Sequence, residues 1–197
     1  MAKQTWKGST LLNPTPSVLV SCGTVEKPNM LTVGWTGIVC TRPPRTYISV
    51  RPSRHSYGLI KESGEFVINL TTAEMLEAVD KCGVYTGKNR DKFALCSLTA
   101  EQSSTVNAPS IAESPISIEC KVFETVPLGS HDMFLADITA VRVDESLLDE
   151  NGALSLEESR LLAYSHGKYY ELKKPLASLG FAVKKKHKGA KRDKNGK

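Results

Sequence analysis

Residues 17–57, SVLVSCGTVEKPNMLTVGWTGIVCTRPPRTYISVRPSRHSY, leave the chain few ways to fold. Ser17–Val25 alternates with a strand period: Val18, Val20 and Cys22 point one way, Leu19 and Ser21 the other. Glu26-Lys27-Pro28-Asn29 reads as a turn, because a proline beside an asparagine interrupts the pattern. Met30–Cys40 reads as a second strand with an unusual share of small residues, Thr32, Gly34, Thr36 and Gly37. Glycines inside a strand mark a bulge or the close approach of a backbone or ligand. The next turn, Thr41–Arg45, is forced by Pro43-Pro44, which cannot continue a ladder. Thr46–Val50 is a third strand. Arg51-Pro52-Ser53-Arg54 then leads into a helix that Ser53 caps and Gly64 stops.

The remaining chain repeats this style. Glu65–Leu70 is a short strand, and Thr72 caps a second helix that ends at Gly83. Asp91-Lys92-Phe93 begins a short helical turn, and Ser97–Ser114 is a long ordered loop. Ile116–Val126 alternates clearly, with Ile116, Ile118, Cys120 and Val122 inward and Ser117, Glu119 and Lys121 outward. It returns through Leu128–Asp132 into Met133–Val143, the clearest hairpin in the sequence. Ser155–Glu158 matches a capping box, and Ala163–Leu172 is a last strand or loop. About six strands joined mostly by turns, with two or three short helices, describe a mainly β fold: a small antiparallel Greek-key barrel. No glycine-rich strand-to-helix turn for nucleotides is present.

Composition narrows the function classes. The chain has 197 residues, 40% apolar, which suits one domain with a real core. There is no apolar run of membrane-spanning length and no signal core near Met1, so the expectation is a cytoplasmic protein without a membrane partner. Five widely spaced cysteines without a CxxC read as free thiols in a reducing compartment, and no metal site is expected. The formal charge of +5 comes from the last fourteen residues. Residues 184–197 hold eight Lys/Arg and one acid, leaving 18 Lys/Arg against 20 Asp/Glu elsewhere. The expected division is therefore a domain over 1–183 and a basic, disordered tail over 184–197, with nucleic acid disfavoured as a partner.

Two clusters carry the candidate chemistry. Arg51, Ser53, Arg54 and Ser56 fall where a strand enters a helix. Guanidinium groups, hydroxyls and free helix N–H groups suit a phosphate, though the same residues also suit a solvated loop with a helix cap. Asn29, Thr32, Trp35 and Thr36 gather on the first hairpin and suit the edge and face of a planar heterocycle; a turn asparagine and a core tryptophan are the plainer account. His131 sits at a hairpin tip, Lys92 follows a Gly/Lys/Asn/Arg run, and Tyr164 lies near the end. No nucleophile–base pairing is visible, so any chemistry would belong to a bound cofactor.

Several of these stretches together resemble a known family. Asn29–Thr36 (NMLTVGWT) and Ile48–Ser56 (ISVRPSRHS) are similar to the flavin reductase-like FMN-binding family, above all its flavoredoxin branch. Phe66–Leu70, Asp91-Lys92-Phe93 and Gly129–Phe134 match further motifs in the same order, over roughly residues 10–180. The resemblance implies a six-stranded split β-barrel with short flanking helices, acting as a homodimer with one FMN per subunit. It implies that Asn29, Thr32, Trp35 and Thr36 contact the flavin ring or ribityl chain. Ser49, Arg51, Ser53, Arg54 and Ser56 would surround the phosphate and the lower ribityl chain, and Lys92 would approach the flavin or the phosphate. His131 and Tyr164 would lie beside the ring, in one subunit or from the second, with His131 the one candidate catalytic residue. Ser56 and Tyr164 replace residues common in relatives but keep the hydroxyl and the aromatic face. The implied activity is hydride or electron transfer from NAD(P)H through FMN to a flavin or protein acceptor. The alternative is a flavoredoxin-type carrier fed by a redox protein partner, with no nicotinamide site.

Overall fold

A computed structural model describes residues 1–183. After a long lead-in come β1 (Thr15–Pro16), β2 (Val18–Gly23), β3 (Pro28–Val33), β4 (Thr36–Thr41) and β5 (Pro44–Val50). Helix α1 (His55–Ser63) and β6 (Glu65–Asn69) follow, then a 3-10 turn (Ala73–Met75), α2 (Leu76–Val84) and α3 (Lys92–Cys96). The second half contains β7 (Ala100–Glu101), β8 (Ser110–Ile111), β9 (Ile116–Pro127), β10 (Asp132–Val143), β11 (Leu162–Ser165) and β12 (Lys168–Glu171).

The main sheet runs β3-β2-β6-β9-β10-β5-β4, every pair antiparallel. Strands β3 and β4 are successive in the chain yet occupy its opposite edges. Two residues, Gly34 and Trp35, make that crossing, so the sheet must curl until its edges meet. The Ser49 N–H donates to the Trp35 carbonyl at 2.9 Å, extending the β4–β5 ladder up to this corner. The single strand expected over Met30–Cys40 is thus two strands broken at Gly34-Trp35, and six expected strands become seven. The fold class is unchanged: a split barrel with short helices on its outside.

Alternation along β2 sorts the interior into two layers. Val18, Val20 and Cys22 point into the barrel with Leu31, Val33, Ile48, Phe66, Ile68, Cys120 and Phe134. Leu19 and Met30 face outward, but α2 and α3 cover them with Val79, Cys82 and Phe93. Each fully buried aliphatic or aromatic side chain contributes roughly 1.5–3 kcal/mol. Gly23 turns the β2–β3 hairpin at φ +85°, and a side chain there would meet the Lys27 carbonyl oxygen at 2.4 Å.

Several local expectations change. Arg54, not Ser53, is the N-cap of α1, and no side chain caps it; Gly64 closes the helix in the left-handed conformation as expected. Helix α2 runs through Gly83 and ends against Tyr85. Ser155–Glu158 forms no helix, because a capping box without an amphipathic run after it has nothing to bury. Residues 163–172 form the β11–β12 hairpin, and β11 also pairs with β1, so the lead-in ends in a strand. Ser117 and Glu119, expected outward on β9, are buried beneath the segment 97–114, which carries the small β7–β8 hairpin. No helix among the described residues is long and apolar enough to cross a membrane. The basic tail 184–197, and the boundary drawn before it, lie outside the described residues.

Candidate functional site

A cavity of about 470 Å³ opens where the two edges of the barrel meet. Leu31, Thr32 and Val33 at the end of β3 form one side, and Gly34 and Trp35 form the corner. Ser49, Val50 and Arg51 come from the end of β5, and His131 from the β9–β10 turn. Tyr164 and Tyr169 of the last hairpin close the outer side, their rings 5.6 Å apart and nearly edge-on. The Trp35 and His131 rings lie 4.5 Å apart, tilted by 48°. Trp35, His131 and Tyr164 therefore meet in one chain, with no second subunit needed to bring them together.

Arg51 and Arg54 are shared with a second hollow of about 240 Å³. Ser53 and His55 at the start of α1 line it, and Tyr85, Thr86, Gly87 and Lys92 face them. Neither hollow has a carboxylate in its lining, and neither arginine has an acidic partner among the described residues. Unpaired guanidinium groups beside free N–H groups at the start of a nine-residue helix make this end strongly attractive to anions.

The lysine is held deliberately. Lys92 is buried and donates to the carbonyls of Met30 at 2.8 Å and Cys82 at 3.0 Å. An ammonium has three donors, so one remains for the hollow. Burial pulls its pKa below the ordinary lysine value, opposed by Cys82 and assisted by the Arg54 charge. His131 is also lowered, first by burial and then by Arg51 and Arg54. Both influences favour the neutral imidazole, whose Nδ1 lies 2.9 Å from the Ser130 hydroxyl.

Of the remaining predicted residues, Thr32 lines the cavity, and Asn29, Ser56 and Thr36 stand one layer back. Asn29 Nδ2 donates to the buried Ser56 hydroxyl at 2.7 Å, fixing the first turn of α1. A side chain at Gly87 would come within 2.0 Å of Asn29 Oδ1, so only glycine lets that segment close here. The Thr32 hydroxyl, at the cavity, donates to the Val79 carbonyl and ties β3 to α2. The Thr36 hydroxyl donates to the Tyr47 carbonyl at 2.5 Å and faces the β4–β5 ladder. Sequence reading singles out Tyr169, beside Tyr164, as able to close a flat site or to pack on the barrel wall, but not Thr15, Ser17, Tyr85, Thr86 or Gly87. Their place at the site depends on long-range pairing, such as β1 with β11, which leaves no local mark. The Thr-Gly pair after α2 was the one available signal.

These features define a class: a small split barrel whose aromatic cavity shares two arginines with a cationic hollow at the strand ends. Residues 11–173 match the flavin reductase like domain, and the chain belongs to that family. Flavoredoxin of Desulfovibrio vulgaris (Miyazaki F) is similar in structure, with a TM-score of 0.85 and 32% identity over 93% of this chain and 100% of that one. An uncharacterized protein of Archaeoglobus fulgidus is 36% identical over 138 residues, 70% of this chain and 77% of the relative. The flavoredoxin of Methanosarcina acetivorans shares the fold at a TM-score of 0.84 and 23% identity, over 93% of this chain and all of that one.

Proposed function

We propose that this protein binds FMN in the two joined hollows and carries electrons in the manner of a flavoredoxin, receiving them from a protein donor. The observation that carries the reading is the sharing of Arg51 and Arg54 between an aromatic cavity and a cationic one. FMN has that shape: a flat ring system at one end and a phosphate dianion at the other. When bound, the flavin supplies the redox chemistry, exchanging electrons one or two at a time. Likeness to a flavoredoxin over nearly the whole chain favours the carrier over a nicotinamide-using reductase.

The chain's own residues bind and orient. Arg51, Arg54, Ser53 and the α1 N–H groups would hold the phosphate, with the free Lys92 donor behind them. Trp35 and Tyr164 would flank the ring and exclude water, and the neutral His131 would hydrogen-bond beside it. Ser49 and Thr32 lie between the two ends, where the ribityl hydroxyls would pass. Asn29 and Ser56 act through α1, which they position. Thr36 acts through β5, which its hydroxyl ties to β4.

The first test is the visible spectrum of the desalted protein under anaerobic conditions. Flavin bands that persist with NADH and NADPH but bleach with dithionite support the carrier. Bleaching by either nicotinamide replaces it with an NAD(P)H-dependent reductase. A colourless protein that takes up no added FMN refutes the flavin reading.

A further inference from the structure

Apart from the candidate site, one pair of side chains holds unused redox chemistry. Cys82 on α2 and Cys96 on α3 have sulfurs 3.7 Å apart, and both thiols are free. They bracket residues 83–95, the end of α2, the connection to α3 and most of α3. That segment supplies Tyr85, Thr86, Gly87 and Lys92, the whole wall of the cationic hollow facing Arg51 and Arg54. Cys96 opens onto a separate surface hollow of about 630 Å³ with Glu74, Glu77 and Glu113 in its lining, and Cys82 is buried behind it.

We propose that Cys82 and Cys96 form a second redox site, a dithiol that exchanges with small cationic disulfides and, once oxidised, fixes the wall of the cationic hollow. The Cys96 thiolate attacks one sulfur of the small disulfide and expels one thiolate, leaving a mixed disulfide at Cys96. Cys82 then gives its proton to solvent and attacks the Cys96 sulfur, expelling the second small thiolate. Two protein thiols and one small disulfide become one protein disulfide and two small thiols. The small disulfide is the oxidant, and electrons balance.

The geometry sets this order. Cys96 faces the hollow, whereas burial pushes the Cys82 thiol up to about 12, so Cys82 is a poor first nucleophile. Lys92 and Lys81 both favour the Cys82 thiolate as it forms. The sulfurs close from 3.7 Å to the disulfide length of about 2.05 Å, a small shift between two short helices. In the hollow Glu77 is paired with Lys81 and Glu74 with Arg160, so Glu113, with no ion-pair partner among the described residues, leaves the excess negative charge that favours a cationic reagent over an anionic one.

The consequence for the neighbouring site follows from α3. Lys92 and Cys96 are four residues apart and share a helix face, and the Lys92 ammonium already donates to the Cys82 carbonyl. A Cys82–Cys96 bond closes the loop that carries the wall and removes its freedom to open. This coupling rests on the FMN reading; the dithiol chemistry does not.

The test uses the full chain loaded with FMN and treated with cystamine or with the anionic glutathione disulfide. Cystamine is expected to consume both thiols, retain no adduct, and give a peptide map joining Cys82 to Cys96, with glutathione disulfide several-fold slower. Cys82→Ser should trap half of the cystamine on Cys96, and Cys96→Ser should leave Cys82 unmodified. A wild-type reaction that stops at a Cys96 adduct, or that joins another pair, overturns the site. Equal rates with the two reagents overturn the preference for cationic disulfides. Oxidation should also slow amide exchange over residues 83–95 and slow FMN release several-fold; no change in either overturns the coupling. A protein that forms the bond and slows exchange but never takes up FMN refutes the flavin reading and leaves the dithiol site in place.

Discussion

Arg51 and Arg54 project from the turn between β5 and α1 with no carboxylate partner among the described residues, which leaves both charges available to an anion. A hydrogen bond to a charged group contributes about 1.5–3 kcal/mol, so Arg51→Ala or Arg54→Ala should weaken FMN binding about 10- to 100-fold in a fluorescence titration. Both side chains are exposed, so added salt should weaken the wild type as well. A loss below about twofold in both variants would place the phosphate elsewhere. The same two charges, after burial, depress His131 below its ordinary value of 6.5. Its proton-NMR titration should therefore have a midpoint under 6.5, and Arg54→Ala should move it upward. The sign for stability follows: the unfolded chain takes up this proton first as pH falls. His131 contributes stability above its unfolded pKa, and that contribution is lost as pH drops through the folded value. His131→Gln should flatten the corresponding part of the stability–pH curve, measured by urea unfolding at several pH values.

Strand β9 shows how far alternation reaches and where it stops. Its inward residues were legible because apolar side chains at period two must find a core. Its other face reads polar, yet Glu119 is fully buried. The carboxylate accepts the Ser104 N–H at 2.8 Å, the Thr105 N–H at 2.6 Å and the Thr105 hydroxyl at 2.6 Å. Burial alone would raise its pKa, but these bonds outweigh it and hold the group below the usual glutamate value. Local sequence cannot reveal this, because the partners lie in a Ser/Thr-rich stretch that resembles any solvated loop. Glu119→Ala removes the charged acceptor of two N–H groups and a hydroxyl and should cost about 1–3 kcal/mol, read as a lower urea midpoint with an unchanged slope. Met30–Cys40 fails to predict its own break for a related reason. Gly34 permits the bend, but only the closing of the barrel demands it. The phosphate-facing residues were legible because Arg51, Ser53 and Arg54 are adjacent in sequence. Thr15 was not, since the site meets it only after β1 and β11 pair.

At the scale of the molecule, the barrel leaves an edge unfinished. Strand β4 pairs with β5 on one side only, and its Ile38 and Val39 are 64% and 49% exposed. Trp35, three residues before Ile38 and 43% exposed, sits at the mouth of the candidate cavity. An apolar, unpaired edge is a surface a second copy of the chain would cover, as the family resemblance implies. We therefore expect a homodimer by sedimentation, and a monomer when Ile38→Glu and Val39→Glu are combined. Because the mouth of the cavity adjoins the same edge, covering one shields the other, and FMN retention becomes linked to protein concentration by mass action. Dilution of the loaded wild type should release flavin more steeply than a single-site equilibrium allows, seen as recovered flavin fluorescence. The paired glutamate variant should release it along a simple one-to-one curve at every concentration. A wild type that is monomeric, or one whose release follows the one-to-one curve, would mean that each barrel closes its site alone.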